Sequence, residues 1–363
     1  MKILIAGAGP AGLYLAYLLG RARPDWRIRV LEQNARDSTF GFGVVFSDRA
    51  LDFLRADDRE TFDLITPQME SWTDLTVVHR GERVVIDGIG FAAIGRLRLL
   101  QLLNERLARV SLSVEFENSL KEKSGLEAYD LVVAADGANS FVRGTADFGT
   151  HITPLTNKFA WFGTAKPFAT LTQTFVQNAH GFFNAHHYRH SAGMSTFVVE
   201  CDAPTWQKAG FAAMGEADTL RYCERVFADA LEGHALISNR SIWRNFPNVR
   251  NRRWRVGNTV LIGDAQRTAH FSIGSGTRLA MEDAISLSRV LLQEKPLDSF
   301  EAERRPTVEK LVAAADSSGA WYERFAEHMQ LAPREFAWSY IQRSGRVDPE
   351  RLRAVAPRFV AGL

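Results

Sequence analysis

The chain has 363 residues, a formal net charge of +2 and 46% hydrophobic residues. This length allows two domains or one large α/β unit with an inserted sheet, and the near-neutral charge gives no reason to expect a nucleic-acid partner. No apolar run approaches the roughly 18–20 residues of a membrane span, and the N-terminus reads as a strand rather than a signal peptide. We therefore expect a cytoplasmic protein without a membrane partner. The two cysteines are isolated, so we expect no disulfide framework. The sequence has no HExxH pattern, so we expect no metal site.

The first residues predict a strand, a turn, a helix and a second strand. Lys2–Ala6 is an apolar β run, Ala11–Leu19 carries good helix formers, and Ile28–Leu31 is the next strand. Between the first strand and the helix lies the spacing Gly-x-Gly-x-x-Gly. This order of elements around the glycines is typical of a dinucleotide-binding unit.

Each glycine of this turn has a physical role. Gly7 allows the tight turn, Gly9 lets backbone N–H groups approach a pyrophosphate at the helix N-terminus, and Gly12 lets the helix pack on the strand. Glu32 follows about twenty residues later, where a carboxylate accepts hydrogen bonds from a ribose diol. The alternative is a glycine-rich turn without a ligand. The complete pattern predicts that a dinucleotide binds here.

The next stretch mixes short elements. Residues 39–48 are glycine-rich and apolar and are predicted to enter the interior, and residues 49–70 are charged and helical or loop-like. Leu75–His79 and Arg83–Ile86 alternate in polarity and predict a hairpin. Leucines at helical spacing predict an amphipathic helix over Arg96–Leu107.

Two strands precede a change of pattern near residue 150. Val114–Phe116 is short, and Tyr129–Ala135 is a buried parallel strand that stops at Asp136. Residues 150–255 then predict an antiparallel sheet, followed by a helix around Leu220–Leu231. The strand-like runs of this sheet are Phe159–Gly163, Leu171–Gln177, Gly181–His187 and Ser195–Glu200.

The chain then returns to the nucleotide-binding pattern. Asn258–Ile262 is a buried strand that ends in Gly263-Asp264, and a long helix covers Gly276–Leu292. Residues 300–345 contain further helices. The nucleotide-binding fold is therefore predicted to come from separated pieces of sequence, with a sheet inserted between them.

Three ordered motifs resemble those of one enzyme family. The glycine fingerprint is followed by DGANSFVR at 136–143, and then by GDA at 263–265 with SIGSG at 272–276. Together they resemble the class A flavoprotein aromatic hydroxylases, whose founding member acts on para-hydroxybenzoate. Residues 39–48 and 268–287 are most similar to the salicylyl-CoA and aminobenzoyl-CoA hydroxylase subgroup. The violacein-pathway tryptophan hydroxylase is a more distant likeness.

This resemblance implies an α/β fold. A Rossmann-like FAD-binding domain of the GR2 type would carry an inserted antiparallel-sheet substrate domain and C-terminal helices. The implied segments are FAD-binding at 1–70, 96–150 and 256–300, sheet insertion at 71–95, substrate-binding sheet at 151–255, and C-terminal helices at 301–363.

The resemblance also implies a non-covalent FAD. In the family, the aspartate of GDA meets the ribitol, the DG motif lies near FAD and the pyridine nucleotide, and an arginine matching Arg96 reaches the FAD phosphates. The implied cofactor residues are Gly7, Gly9, Pro10, Ala11, Gly12, Glu32, Gln33, Arg96, Asp136, Gly137, Gly263, Asp264, Gly274, Gly276 and Thr277. Plain alternatives remain: a turn at Asp136, a helix cap at Asp264 and a surface arginine at Arg96.

The substrate side is predicted from one strand and one loop. Alternation places His186 and Tyr188 on one face of a strand and His187 on the other. The candidate catalytic residues are His186, Tyr188 and His270, which lies beside the glycine turn. Each histidine also suits a plain core position. The candidate substrate pocket consists of Phe42, Val45, Trp161, Phe271 and Ser272. The family usually has Ala-His where this chain has Gln266-Arg267, and proline where it has Ser272.

The implied reaction is hydroxylation of an electron-rich aromatic ring with O₂ and NADH or NADPH, through a flavin C4a-hydroperoxide. The substrate is expected to be a small hydroxy- or aminobenzoyl-CoA thioester, and the protein a monomer or homodimer. Alternatives are a free aromatic acid or indole as substrate, or a redox-inactive FAD-binding protein. A halogenase would need a W-x-W-x-I-P motif, and an NAD-dependent dehydrogenase does not explain GDA. The arginines at 250–255 form either a solvated hairpin or a CoA phosphate site.

Overall fold

The structure is a computed structural model that describes residues 1–47, 51–347 and 349–362. Asp48, the last residue of the predicted apolar segment 39–48, therefore lies outside the described residues. The strands are β1 (Lys2–Ala6), β2 (Arg27–Leu31), β3 (Gly43–Ser47), β4 (Glu70–Trp72), β5 (Leu75–His79), β6 (Glu82–Ile86), β7 (Phe91–Gly95), β8 (Val114–Glu115), β9 (Leu131–Ala134), β10 (Thr150–Thr164), β11 (Leu171–Asn178), β12 (Gly181–Ser191), β13 (Met194–Cys201), β14 (Leu236–Ser238), β15 (Arg244–Asn251), β16 (Arg255–Val256) and β17 (Thr259–Leu261). The helices are α1 (Pro10–Ala22), α2 (Asp52–Asp57), α3 (Arg59–Ile65), α4 (Arg96–Ala108), α5 (Ala203–Lys208), α6 (Glu216–Val226), α7 (Ala228–Leu231), α8 (Gly276–Leu292), α9 (Asp298–Glu323), α10 (Phe325–His328), α11 (Pro333–Gln342), α12 (Pro349–Val355) and α13 (Pro357–Ala361).

The first sheet is the predicted nucleotide-binding sheet. Its six strands lie in the order β16-β17-β9-β1-β2-β8, parallel except for β16. β1 and β9 are largely buried on both faces, as expected for a parallel sheet. On one face their side chains share a core with α1 and α8, and on the other face Leu4 and Val132 share a core with Val142 and Phe148. β1 and β2 are consecutive, but β9 and β17 come from parts of the chain far from them, so separated pieces of the chain assemble this sheet, as predicted.

The second sheet is larger and contains the predicted alternating strands. Seven strands follow the order β14-β10-β13-β12-β11-β5-β6, and β15 pairs with β10. The predicted hairpin of β5 and β6 is confirmed. One pair differs from the antiparallel prediction, because β11 runs parallel to β5, with Thr172 opposite Thr76. A tight turn joins antiparallel neighbours, whereas these two strands come from segments far apart in the chain.

A third sheet was not predicted. Its order is β3-β7-β4, and it lies between the nucleotide-binding sheet and the large sheet, with β12 packed on β7. The predicted helix over Leu220–Leu231 is two helices, α6 and α7. Phe227 separates them, with a φ of −110° that is outside the helical range.

The C-terminal helices cover one face of the large sheet. Phe175 of β11 packs against Phe336 of α11, with ring centroids 4.6 Å apart, and Trp321 and Tyr340 surround the same ring. This aromatic cluster fixes where α11 ends, next to the candidate site. Over the described residues, no helix combines the length and apolar character that crossing a bilayer requires.

The arginines at 250–255 are largely paired with carboxylates. Arg250 contacts Asp316, and Arg253 and Arg255 form ion pairs with Asp147 and Asp298. Such exposed pairs contribute little stability. They nevertheless favour the solvated-hairpin interpretation over a CoA phosphate site, because three of the four guanidinium groups already face a carboxylate.

Candidate functional site

A cavity of about 270 Å³ lies between the nucleotide-binding sheet and the large sheet. We call it the flavin-side cavity. Among the candidate residues, its lining includes Gly9, Pro10, Ala11, Arg96, Gly137, Gly263, Asp264, Gly274, Gly276, Thr277, Val45, Trp161, His186, Tyr188, Phe271 and Ser272. The candidate residues outside its lining are Gly7, Gly12, Glu32, Gln33, Asp136, Phe42 and His270.

The turn between β1 and α1 has the geometry that the glycine spacing predicts. Gly7 has a φ of +100°, and a Cβ there would lie 2.3 Å from the carbonyl oxygen of Ala135. A Cβ at Gly12 would lie 2.0 Å from the carbonyl oxygen of Gly7. At Gly9 a Cβ would meet no atom within 4 Å. Gly7 and Gly12 are therefore required for packing, whereas Gly9 keeps the space in front of the α1 N-terminus open.

That N-terminus has no side-chain cap, so its first N–H groups have no side-chain acceptor. Glu32 stands beside it: one carboxylate oxygen accepts from Ala8 N at 3.0 Å, and the other accepts from Asn34 N at 2.9 Å. A carboxylate has further lone pairs for a ribose diol. Gln33 is exposed and lies outside the lining. Open space, free N–H groups and an adjacent carboxylate fit the ADP half of FAD.

The DG motif and the GDA motif are tied together by one arginine. Arg143 donates to the carbonyl of Ala138 at 2.6 Å and to the carbonyl of Ala265 at 3.0 Å. Asp136 accepts from Val142 N at 3.1 Å, and burial raises the pKa of its carboxyl. Asp136 therefore organises the loop itself, while Gly137 reaches the cavity.

Asp264 and Arg96 face each other across the cavity lining. Asp264 is exposed to the cavity, yet the surrounding protein desolvates it enough to raise its pKa, and Arg267 and Arg96 oppose that shift. The first N–H of α4, at Arg96, donates to the carbonyl of Phe42 at 2.8 Å. Asp264 thus presents a carboxylate to the cavity, and no described side chain donates a hydrogen bond to it, which fits a polyol ligand such as ribitol.

A second uncapped helix N-terminus faces the same cavity. Gly274 has a φ of +61°, and a Cβ there would lie 3.1 Å from the carbonyl oxygen of Val45. Ser275 precedes α8 without a side-chain cap, and the space around Gly276 is open to 4 Å. Backbone N–H groups at such a terminus stabilise negative charge. The turn therefore suits the pyrimidine side of a flavin ring.

His186 is part of a buried polar network on the opposite wall. Its Nδ1 lies 3.0 Å from Gln173 Nε2, and the hydroxyl of Tyr322 donates to Gln173 Oε1 at 3.0 Å. An amide nitrogen only donates, so Nδ1 is the acceptor and the ring proton is on Nε2, which lies 3.6 Å from Glu200 Oε2. Burial lowers the pKa of His186 to about 3. His186 is therefore neutral at physiological pH.

Tyr188 shares this wall, whereas His187 points away from it. The Tyr188 hydroxyl donates to the carbonyl of Gly43 at 3.0 Å, and burial raises its pKa. His187 contacts Thr174 and stacks on Phe197 on the other face of the sheet. The alternation predicted for this strand is thus observed.

Two predicted residues lie behind the cavity wall. His270 Nδ1 lies 2.7 Å from Ser272 Oγ, and its ring packs on Phe271, so it contacts the lining rather than forming it. Burial lowers the pKa of His270 to about 4. The ring of Phe42 lies over Gly163. The roles of all the candidate residues in binding and catalysis stay predictions.

The sequence reasoning missed a cation in this wall. Arg343 donates to the carbonyl of Ser272 at 2.9 Å and to the carbonyl of Tyr340 at 2.8 Å, and its guanidinium lies 3.8 Å from the Tyr340 ring centroid. Both residues line the cavity. They follow Ser272 by about seventy positions, and no local motif marks them. Gln173 was also missed, although the strand alternation that selected His186 is the signal that finds it.

Removing either carboxylate should weaken FAD binding. We expect Glu32→Ala and Asp264→Ala each to lower the affinity about tenfold to a hundredfold, because a hydrogen bond to a charged group contributes about 1.5–3 kcal/mol. Titration of the apoprotein with FAD measures this. Glu105→Ala is the control, since Glu105 is an exposed carboxylate paired with Arg98. Wild-type affinity in both variants would contradict this placement of the cofactor.

Comparison with known proteins gives a consistent family. The family described as an FAD binding domain matches residues 98–315. Salicyloyl-CoA 5-hydroxylase from a Streptomyces species is 42% identical over 361 residues, covering 95% of this chain and 70% of that protein. Protodeoxyviolaceinate monooxygenase from Chromobacterium violaceum is 35% identical, covering 96% of each chain. 3-hydroxy-4-methyl-anthranilyl-[aryl-carrier protein] 5-monooxygenase from Streptosporangium sibiricum is 34% identical, covering 90% of each.

Solved structures agree on the fold. The tetrameric form of 2-methyl-3-hydroxypyridine-5-carboxylic acid oxygenase superposes with a TM-score of 0.70 at 16% identity, covering 98% of this chain and 95% of that one. Pseudomonas aeruginosa PqsL, in complex with 2-aminobenzoylacetate, has a TM-score of 0.69 at 21% identity, covering 91% of this chain and 100% of that one. The predicted fold class is confirmed.

Proposed function

The chain belongs to the family of FAD-dependent aromatic monooxygenases, and on that premise we propose that its substrate is a hydroxy- or aminobenzoyl ring carried as a thioester of coenzyme A. The class A resemblance is confirmed, and with it FAD as cofactor. Two relatives carry thioester-type substrates in their names, salicyloyl-CoA and a carrier-protein-bound anthranilyl group. These names support the thioester, and the identity of the ring is our inference.

One observation carries the proposal. A single cavity joins two uncapped helix N-termini and Asp264 on one side to an apolar and aromatic wall on the other. The first side suits a charged dinucleotide, and the second suits a planar ring. Such a cavity supports the proposal, because a ring bound on the second side would lie next to a flavin bound on the first, as ring hydroxylation requires.

Held by Glu32, Asp264 and the two helix N-termini, FAD would supply the redox chemistry: reduction by NADH or NADPH, and transfer of one oxygen atom of O₂ to the ring with the other leaving as water. The chain's own residues supply position and environment. Val45, Trp161 and Phe271 exclude water from the ring side of the cavity. The N–H groups at the start of α8 stabilise negative charge where the turn of Gly274 meets the ligand.

His186, Tyr188 and Arg343 orient the substrate in this proposal. The neutral His186 ring is held by a hydrogen bond from Gln173, so it meets the substrate ring in one orientation. Arg343 brings a positive charge to the same wall, where it stabilises an ionised phenol or polarises the thioester carbonyl. His270 acts through Phe271 and Ser272 and is a positioning residue.

Arg343 also favours a second candidate substrate, a free aromatic acid. A guanidinium next to an apolar wall pairs well with a carboxylate. A free indole and a redox-inactive binding protein remain as further alternatives, and substrate assays separate all of them.

The deciding experiment measures substrate-stimulated NADH and NADPH oxidation under ¹⁸O₂. Salicyloyl-CoA and 2-aminobenzoyl-CoA are compared with salicylate, 2-aminobenzoate and indole at equal concentration. We expect a thioester to accelerate oxidation at least about tenfold, with one ¹⁸O atom in the ring product. Stimulation by the free acids alone would move the assignment to the second candidate. Unlabelled product, or peroxide with every compound, would contradict the proposal.

A further inference from the structure

A second cavity lies on the opposite face of the large sheet. Its volume is about 770 Å³, and among the described residues none of its lining is shared with the flavin-side cavity. Neighbouring residues of β11 and β12 point to the two cavities in turn. Gln173 and His186 face the flavin-side cavity, whereas Thr172, Thr174 and His187 line the second one. The sheet separates two distinct sites.

Part of the wall of the second cavity is apolar and aromatic, beside polar groups. Phe168, Val176 and Phe227 line it, and the Phe168 ring lies 4.0 Å from the His187 ring between centroids. The volume falls within the range of small-molecule sites, about 300–1,000 Å³. Such walls bind an aromatic or branched apolar body by removing its surface from water.

The rim of the cavity carries excess positive charge. Arg80, Arg83 and Lys166 line it together with two carboxylates, Asp229 and Glu232. Lys166 forms an ion pair with Glu232, and Arg80 donates to two backbone carbonyls, at 2.9 and 3.2 Å, rather than to a carboxylate. Arg83 is exposed, and no described carboxylate forms an ion pair with it. Two arginines thus outweigh the single remaining carboxylate.

A buried polar atom in the wall is also unsatisfied. His187 is 2% exposed, and its Nε2 lies 2.8 Å from Thr174 Oγ1. Its Nδ1 has no hydrogen-bond partner among the described residues. Native structures rarely leave a buried side-chain nitrogen without a partner, so such an atom in a cavity wall indicates a polar group of a ligand or a water.

We propose that this cavity is a second small-molecule site that binds an organic anion with an aromatic body. The acid group lies at Arg83 and Arg80, and the body lies against Phe168, Val176 and Phe227. The site is separate from the proposed hydroxylation chemistry. The sheet places its ligand directly behind the strand pair that carries Gln173 and His186.

The test measures binding of two matched probes to the FAD-loaded protein by isothermal titration calorimetry. The anionic probe is 8-anilinonaphthalene-1-sulfonate, and the neutral probe is N-phenyl-1-naphthylamine, which lacks the sulfonate. Arg83→Glu reverses a charge at the rim without touching the interior. Arg27→Glu is its control, because Arg27 is likewise an exposed strand arginine, at the start of β2. Ala230→Trp fills the cavity from α7.

We expect saturable binding of both probes to the wild type. Arg83→Glu should lower the affinity for the anionic probe about threefold to tenfold and leave the affinity for the neutral probe unchanged. Ala230→Trp should abolish binding of both probes. Arg27→Glu should leave binding of both probes unchanged. The exposed Arg83 variant decides the question if Ala230→Trp fails to fold. Equal binding of the anionic probe to the wild type and Arg83→Glu, or no saturable binding at all, would overturn the proposal.

Discussion

Gly9→Ala is expected to give a stably folded protein that binds FAD about a hundredfold or more weakly. Gly9 has a φ of −73° and a ψ of −178°, which alanine adopts without strain, and its Cβ would meet no protein atom within 4 Å. The new methyl group would instead stand where a pyrophosphate approaches the α1 N-terminus. Losing two charge-assisted hydrogen bonds of about 1.5 kcal/mol each accounts for the loss.

Two glycine variants make this result specific. Gly193→Ala, in the turn between β12 and β13, also meets no atom within 4 Å and should leave both melting temperature and FAD affinity unchanged. Gly7→Ala should fail to fold properly, because its Cβ would clash with the Ala135 backbone at a positive φ. Thermal denaturation of the apoprotein and FAD titration separate the three. Wild-type FAD affinity for Gly9→Ala would place the pyrophosphate elsewhere.

His186→Leu should retain FAD but lose hydroxylation. Leucine keeps the apolar volume and removes both ring nitrogens, so the substrate loses the polar group that Gln173 holds in place. We expect product formation to fall about a hundredfold, the effect that a misplaced substrate has on the rate. NAD(P)H oxidation should then produce peroxide in place of hydroxylated product.

The pH profile separates this role from simple titration. Burial holds the pKa of His186 at about 3, so its neutral form prevails at every pH well above that value. Between pH 5 and 9 the hydroxylation rate of the variant should therefore be lower than the wild-type rate by the same factor at every pH. The acidic side of the pH–rate profile should keep its shape. His180→Gln is the control, because His180 contacts Tyr222 at the turn between β11 and β12, outside the cavity lining. An unchanged product yield for His186→Leu would return His186 to a core role.

Much of the FAD side was predictable because its constraints are local. The demands on Gly7 and Gly12 arise within a strand–turn–helix unit, and so they are visible in a short stretch of sequence. The strands at 2–6, 131–134 and 259–261 were found because strands buried on both faces are uninterrupted apolar runs. The alternation of His186, His187 and Tyr188 follows from the geometry of a strand.

The substrate wall was only partly predictable because distant segments build it. Tyr322 meets Gln173 across 149 positions, and Arg343 meets Ser272 across 71. For His270 the local sequence predicted a position in the cavity. Its ring instead packs against Phe271 and contacts Ser272, so it lies behind the cavity wall. Side-chain direction in a loop depends on its neighbours, and no period reveals it.

The sequence by itself determined the nucleotide-binding fold, the FAD motifs and the enzyme family. Short-range backbone requirements and buried strand patterns can be recognised in short stretches of sequence. The tertiary structure alone decided that β11 pairs parallel with β5, that α11 brings Arg343 to the cavity, and that a second cavity backs the first. These features depend on contacts between segments far apart in the chain, whose free energy comes from packing and burial rather than from any local pattern.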